Sequence, residues 1–148
     1  PVRTYARSGR RLLGICVGMQ ILFEIGEEFG RQQGLGLLPG TVSAIPRTDD
    51  AGRRRKIPHI GWSALSPAHG GKGWSQALLA DTRPGDAAYF VHSFAAHPMR
   101  PEDLWAVADH DGYQVAAAVG HGAIAACQFH PEKSGPVGLA MLRRFLSA

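Results

Sequence analysis

The chain is poor in cysteine, with 2 in 148 residues, too few for a disulfide framework or a thiolate metal cluster. Each cysteine must therefore be judged singly. Charged residues are also sparse at 19%, and against a hydrophobic share of 45% this excludes a disordered chain, a collagen-like repeat and a solvated polyelectrolyte. No apolar run approaches the ~18 residues of a membrane span. The opening Pro1-Val2-Arg3-Thr4-Tyr5 has no initiator Met and no apolar run ahead of small cleavage-site residues, so no signal peptide is visible and a reducing cytoplasm is the expected location. The charge excess is small: 16 Lys and Arg against 12 Asp and Glu, net +4. Much of it sits in Arg53-Arg54-Arg55-Lys56, which has no interleaved aromatics and reads as a solvated loop rather than a nucleic-acid surface.

What is present is the size and pattern of one globular domain, residues 1–148. Arg11 to Ile15 reads as a buried strand, and Met19 to Phe29 as a helix with Met19, Leu22, Phe23 and Ile25 facing a core. A glycine-rich loop follows from Gly30 to Gly40. Strands are expected over 41–45, 57–65 and 87–91, with a short helix over 74–79. Three β runs, 105–109, 113–119 and 123–129, are separated by Asp111-Gly112 and Gly120-His121-Gly122, which suits a meander of hairpins. A closing helix has Pro136 near its start, Val137, Met141, Leu142 and Phe145 at helical spacing, and Arg143 and Arg144 at its negative end. The expected class is α/β with a mixed sheet.

The first junction, Gly14-Ile15-Cys16-Val17-Gly18, is the G-x-C-x-G counterpart of a nucleophile elbow between a strand and a helix. Such a turn holds its nucleophile on strained backbone above the sheet, with glycines where chains approach closely. A helix N-terminus there would favour thiolate over thiol, and the N–H of Val17 would serve as an oxyanion donor. The other reading of Cys16 is a small buried hydrophobe in a tight turn. Cys127, inside a strand, takes that second reading.

A cysteine nucleophile needs a base, and ligands of such folds sit past the carboxyl ends of strands. Two of the 7 histidines satisfy this, His92 and His130. His130 has Glu132 two residues on, where an extended segment places both on one side and a carboxylate can orient the imidazole. His59, His69, His97, His110 and His121 read as surface residues. No His/Cys spacing matches a zinc site, and no metal or cofactor is expected.

Four segments carry a resemblance: Gly14-Ile15-Cys16-Val17-Gly18-Met19-Gln20, Lys56-Ile57-Pro58-His59-Ile60-Gly61-Trp62, Tyr89-Phe90-Val91-His92-Ser93-Phe94 and Gln128-Phe129-His130-Pro131-Glu132-Lys133-Ser134-Gly135. Together they resemble the class I, triad-type glutamine amidotransferases, and most narrowly the glutaminase subunits of imidazole glycerol phosphate synthase in histidine biosynthesis. The resemblance implies a flavodoxin-like mixed sheet flanked by helices. It also implies that Cys16 attacks the side-chain amide of L-glutamine, with His130 as base and then acid and Glu132 as its orienter. Val17, Gly18, Gln20 and Glu28 would meet substrate, Gln20 and Glu28 lying with Glu24 on one stripe of the predicted helix. His92, Ser93 and Phe94 would form a loop whose backbone groups hold the amino acid. Phe94 stands where tyrosine is commoner, and Ser63 where asparagine often follows the tryptophan.

The implied partner is a (β/α)8-barrel cyclase that receives ammonia through a sheltered channel, because ammonia released to water is protonated and ceases to be a nucleophile. Pro58, His59 and Trp62 are expected to face it, and Arg53 to Lys56 would steer an acidic rim. The family begins with a strand, a helix and a Pro/Gly-rich loop that assists the oxyanion. Only about ten residues precede Arg11, so the resemblance implies a domain truncated at its N-terminus and lacking its first strands. The alternative functions are a cysteine hydrolase acting on peptide or γ-glutamyl substrates and a non-catalytic interaction subunit.

Overall fold

A computed structural model describes residues 1–76 and 78–147. The alanine-rich run Ala116-Ala117-Ala118 lies at its centre, in β10 (Tyr113–His121) of a five-stranded sheet ordered β1-β11-β10-β9-β6. The other members are β1 (Leu12–Ile15), β6 (Ser66–Pro67), β9 (Leu104–His110) and β11 (Ile124–Cys127). β1 runs parallel to β11 with Ile15 opposite Cys127, while β11, β10, β9 and β6 pair antiparallel. The predicted meander is therefore present, with a register shift between Ala116 and Val119.

Both faces of this sheet are covered, which is why its central strands read as continuous apolar runs rather than alternating ones. One face, with Val115, Ala117, Ala125 and Cys127, packs against Leu78, Leu79, Phe90, Phe129 and the Met141 and Phe145 face of α3 (Gly135–Ser147). The other, with Ala116, Val119 and Ala126, packs against Met19, Leu22, Phe23, Leu38, Val42 and Ala96. Those last residues bring in a four-stranded sheet, β3-β2-β4-β8, built from β2 (Phe23–Gly26), β3 (Gln32–Gln33), β4 (Leu38–Ala44) and β8 (Phe94–Pro98). A separate two-stranded antiparallel sheet, β5 (His59–Ala64) with β7 (Ala87–His92), completes the architecture.

The class is mixed α/β as expected, but the β content is divided among three sheets and helices are few. α1 (Val2–Arg7) was not anticipated. The predicted helix over Met19–Phe29 is instead one turn, α2 (Val17–Gln20), followed by β2. Phe23 and Ile25 fit a two-residue period as well as a helical one, and pairing to β3 and β4 on either side decides for strand. The helix expected over 74–79 contains Ala77, which lies outside the described residues. Its described neighbours form consecutive turns, Trp74 N–H to Gly71 O, Gln76 to Gly73 and Leu79 to Gln76. No helix among the described residues is long and apolar enough to cross a membrane.

Candidate active site

β1 ends at a sharp corner. Cys16 has φ 52° and ψ −111°, a conformation costly for any residue with a Cβ and typical of positions held by surrounding structure for function. The corner closes because Gly14 and Gly18 meet: a Cβ on Gly14 would lie 2.7 Å from the Gly18 carbonyl oxygen and 2.9 Å from Leu22 Cδ1. Gly18 itself faces open space, so only the first glycine of the motif is required by packing. The Cys16 N–H donates to Cys127 O at 2.8 Å, and its carbonyl accepts from Met19 and Gln20.

His130 follows β11, the strand parallel and adjacent to β1, so the parallel register brings Cys16 and His130 to the same end of the sheet. The His130 N–H is tied to Tyr89 O on β7, and Ser134 Oγ donates to His130 O at 2.6 Å while accepting from the Tyr89 N–H. His130 Nδ1 meets Glu132 Oε1 at 2.6 Å. A carboxylate can only accept, so Nδ1 carries the proton of this contact, and in the neutral ring Nε2 is the basic nitrogen.

The thiol is half-buried. Its Sγ approaches Val91 O at 3.9 Å and accepts from Gln128 Nε2 at 3.7 Å. Burial pushes its pKa above the ordinary thiol value, while the Val17 N–H and the Gln128 amide pull it down and Glu132 adds repulsion. The expected helix-stabilised thiolate is not supported, since α2 is a single turn and desolvation is the largest influence on the thiol. Cys127 is fully buried in β11 with its thiol held well above the usual range by the same desolvation, in keeping with its structural reading.

Val17, Gln20 and Glu28 line one cavity of about 140 Å³ with Ile21, Gly26 and Gln33. Glu24 is not with them; its carboxylate accepts from the Gly40 N–H, because β2 rather than a helix carries it. Both N–H groups of the Gln20 amide are engaged, with Phe94 O at 3.2 Å and Gln128 Oε1 at 3.0 Å. In the 92–94 segment Ser93 O accepts from Ile45 and Phe94 O from His92 and Gln20, so these carbonyls point into the protein.

His92 and His59 depart most from expectation. Opposite each other in the β5–β7 register, both are buried and bonded ring to ring, His59 Nδ1 to His92 Nε2 at 2.9 Å. His59 is therefore neither a surface residue nor available to a partner, and the His92 ring is turned away from base duty. His59 also stacks between Phe90 and His110. Desolvation lowers His59 to about 3 and His92 to about 4, with neighbouring imidazoles adding to it for both and the bond to Phe94 O opposing it for His92. Unfolding releases them to the ordinary value near 6.5, so the unfolded chain binds more protons below that pH. Stability is fully present above about pH 6.5 and is lost as pH falls toward 4. We expect the thermal midpoint to drop between pH 7 and pH 5, and a His59→Phe variant that still folds to show a flatter profile by calorimetry.

Pro58 is exposed, and so are Ile60 and Trp62 at 55% and 58% on the outer face of β5. Ile60 had no sequence signal except its two-residue spacing from Trp62. Trp62 is braced edge-on by Tyr89, its cross-strand partner. The basic run is less available: Arg55 is buried on Pro46 O, Thr48 O and Asp111 O, and Arg53 pairs with Asp49.

The family model for Glutamine amidotransferase class-I matches residues 1–148. The chain belongs to that family. Among curated relatives it is 42% identical over 146 residues to "Imidazole glycerol phosphate synthase subunit HisH 1" of Legionella pneumophila (strain Lens), covering 99% of this chain and 68% of the relative. It is 46% identical over 137 residues to "Imidazole glycerol phosphate synthase subunit HisH" of Bacillus subtilis (strain 168), covering 93% and 61%. In fold it is similar to the crystal structure of a glutamine amidotransferase from Thermotoga maritima, with TM-score 0.58 and 16% identity over 98% of this chain and 49% of that one.

Proposed function

We infer that the chain is the glutaminase subunit of an imidazole glycerol phosphate synthase, hydrolysing L-glutamine to glutamate and ammonia. The observation that supports this most is the strained Cys16 corner at the end of β1, with His130, whose Nδ1 proton is committed to Glu132, following the paired parallel strand β11. His130 Nε2 takes the thiol proton as Sγ attacks the side-chain carbonyl carbon of glutamine, and the Val17 N–H faces the developing oxyanion. The C–N bond breaks, His130 returns its proton to the leaving nitrogen, and ammonia departs from a thioester. Water then gives a proton to His130 and attacks the thioester, the C–S bond breaks, and glutamate leaves as the proton returns to sulfur. Val17, Gln20 and Glu28 border the cavity that takes the amino acid, and Gly18 leaves open space beside the corner.

The ammonia passes to a cyclase subunit of barrel fold, and Pro58, Ile60 and Trp62 form the face that meets it. A large aromatic ring braced on one side and bare on the other has the character of an interface anchor. Glutamate release should rise several-fold when the cyclase subunit is added, and Trp62→Ala should weaken the complex about 10- to 100-fold, read by titration calorimetry. Peptide cleavage in the absence of any partner would overturn the assignment.

A further inference from the structure

A continuous run of hydrogen bonds leads from β5 to the thiol, and its polarity can be worked out from one end. Phe94 O is a carbonyl and can only accept. His92 Nδ1, at 2.7 Å from it, is therefore the protonated nitrogen, which leaves Nε2 as the acceptor for a proton on His59 Nδ1 at 2.9 Å. His59 Nε2 then lacks a proton and accepts from Ser63 Oγ at 2.8 Å. On the other side, the same carbonyl requires the Gln20 amide to present its nitrogen, at 3.2 Å. The Gln20 nitrogen in turn requires Gln128 to present Oε1, at 3.0 Å. The Gln128 nitrogen is thereby forced toward Cys16 Sγ, at 3.7 Å. Gln128 is completely buried, so neither of its ends can turn to water instead.

We propose that Ser63, His59 and His92 are positioning residues that hold the Phe94 carbonyl, and that this carbonyl orients Gln20 and Gln128 so that Gln128 directs an N–H at the reacting sulfur. The proposal rests on Cys16 being the nucleophile. Gln128 offers a neutral donor to the thiolate in a pocket where burial and Glu132 oppose it and Lys133 favours it. A hydrogen bond to a charged group is one of the stronger kinds. Ser63 closes the far end on the inner face of the strand whose outer face carries Ile60 and Trp62.

The test uses the chain with its cyclase partner, reading kcat and KM for glutamine and the pH dependence of Cys16 alkylation by iodoacetamide. Gln128→Met keeps the volume and removes the donor. It should raise the alkylation midpoint by about one pH unit and lower kcat about 10- to 100-fold, with KM within about twofold. Ser63→Ala should lower kcat by a smaller factor, and Ser63→Thr, which keeps the hydroxyl, should restore it. Unchanged alkylation and kcat in a folded Gln128→Met would overturn the proposal. If that variant does not fold, the serine pair decides: equal kcat in Ser63→Ala and parent overturns the relay. A Cys16→Ala control that remained active would instead overturn the nucleophile assignment, so the two failures are distinguishable.

Discussion

Replacing Cys16 with alanine is expected to lower glutamate release from glutamine by at least about 10⁴-fold, because the nucleophile and its base act as a unit and the loss of either removes the covalent route. Glutamate formation would be followed with the cyclase partner present, alongside the thermal midpoint of each variant. The fold should survive, since the strain at this position lies in the backbone and not in the sulfur. At φ 52° any Cβ is disfavoured, so Cys16→Gly should melt no lower than Cys16→Ala while being equally inactive. That pairing separates a site held under strain for function from a corner that merely tolerates cysteine. Cys127→Ala supplies the comparison: its sulfur is buried in β11 with a raised pKa, so activity should persist with a modest loss of stability. Activity that followed Cys127 and not Cys16 would reverse the assignment.

The parts of this site that a sequence displays are those whose neighbours are close along the chain. Gly14, Cys16 and Gly18 announce a tight corner, and the two-residue spacing of His130 and Glu132 becomes a 2.6 Å contact. Cys127, Ala125 and the alanines of β10 read as buried strands because both faces of their sheet are covered. What stayed hidden depends on partners far away in sequence. His59 reads as a surface histidine, yet its burial is made tolerable by His92, 33 residues on, and by Ser63. A buried imidazole needs each ring nitrogen satisfied, and no local pattern reports that. The segment after Cys16 misled for a related reason. Leu22, Phe23 and Ile25 suit a helix in isolation, but β4 offers Phe23 and Ile25 a parallel partner and β3 closes the other edge. With the segment extended, Glu24 is directed to the Gly40 N–H while Glu28 still reaches the Gln20 cavity.

Gly138→Ala is expected to do heavy damage without touching the reacting groups. In an open helix the change from glycine to alanine stabilises by about 1 kcal/mol. Here the added methyl would sit 2.0 Å from Pro131 O and 2.8 Å from Ser134 Cβ. Neither neighbour can yield cheaply. Pro131 follows His130 directly, and Ser134 binds the His130 carbonyl and the Tyr89 N–H. The Gly138 N–H itself donates to Ser134 O, so the first turn of α3 is clasped onto the loop that carries His130 and Glu132. Overpacking of this kind costs about 1–3 kcal/mol or more, which for a chain of this size lowers the melting temperature by roughly 3–12 °C. Relief requires the loop to move away from β7, and a shift of about 1 Å in a base can cost on the order of 10²-fold in rate. Leu139→Ala, on the same helix at an exposed position, should change neither quantity appreciably. The sign is the test: a Gly138→Ala chain that melts higher than the parent with full glutaminase activity would show that α3 does not hold the His130 loop in place.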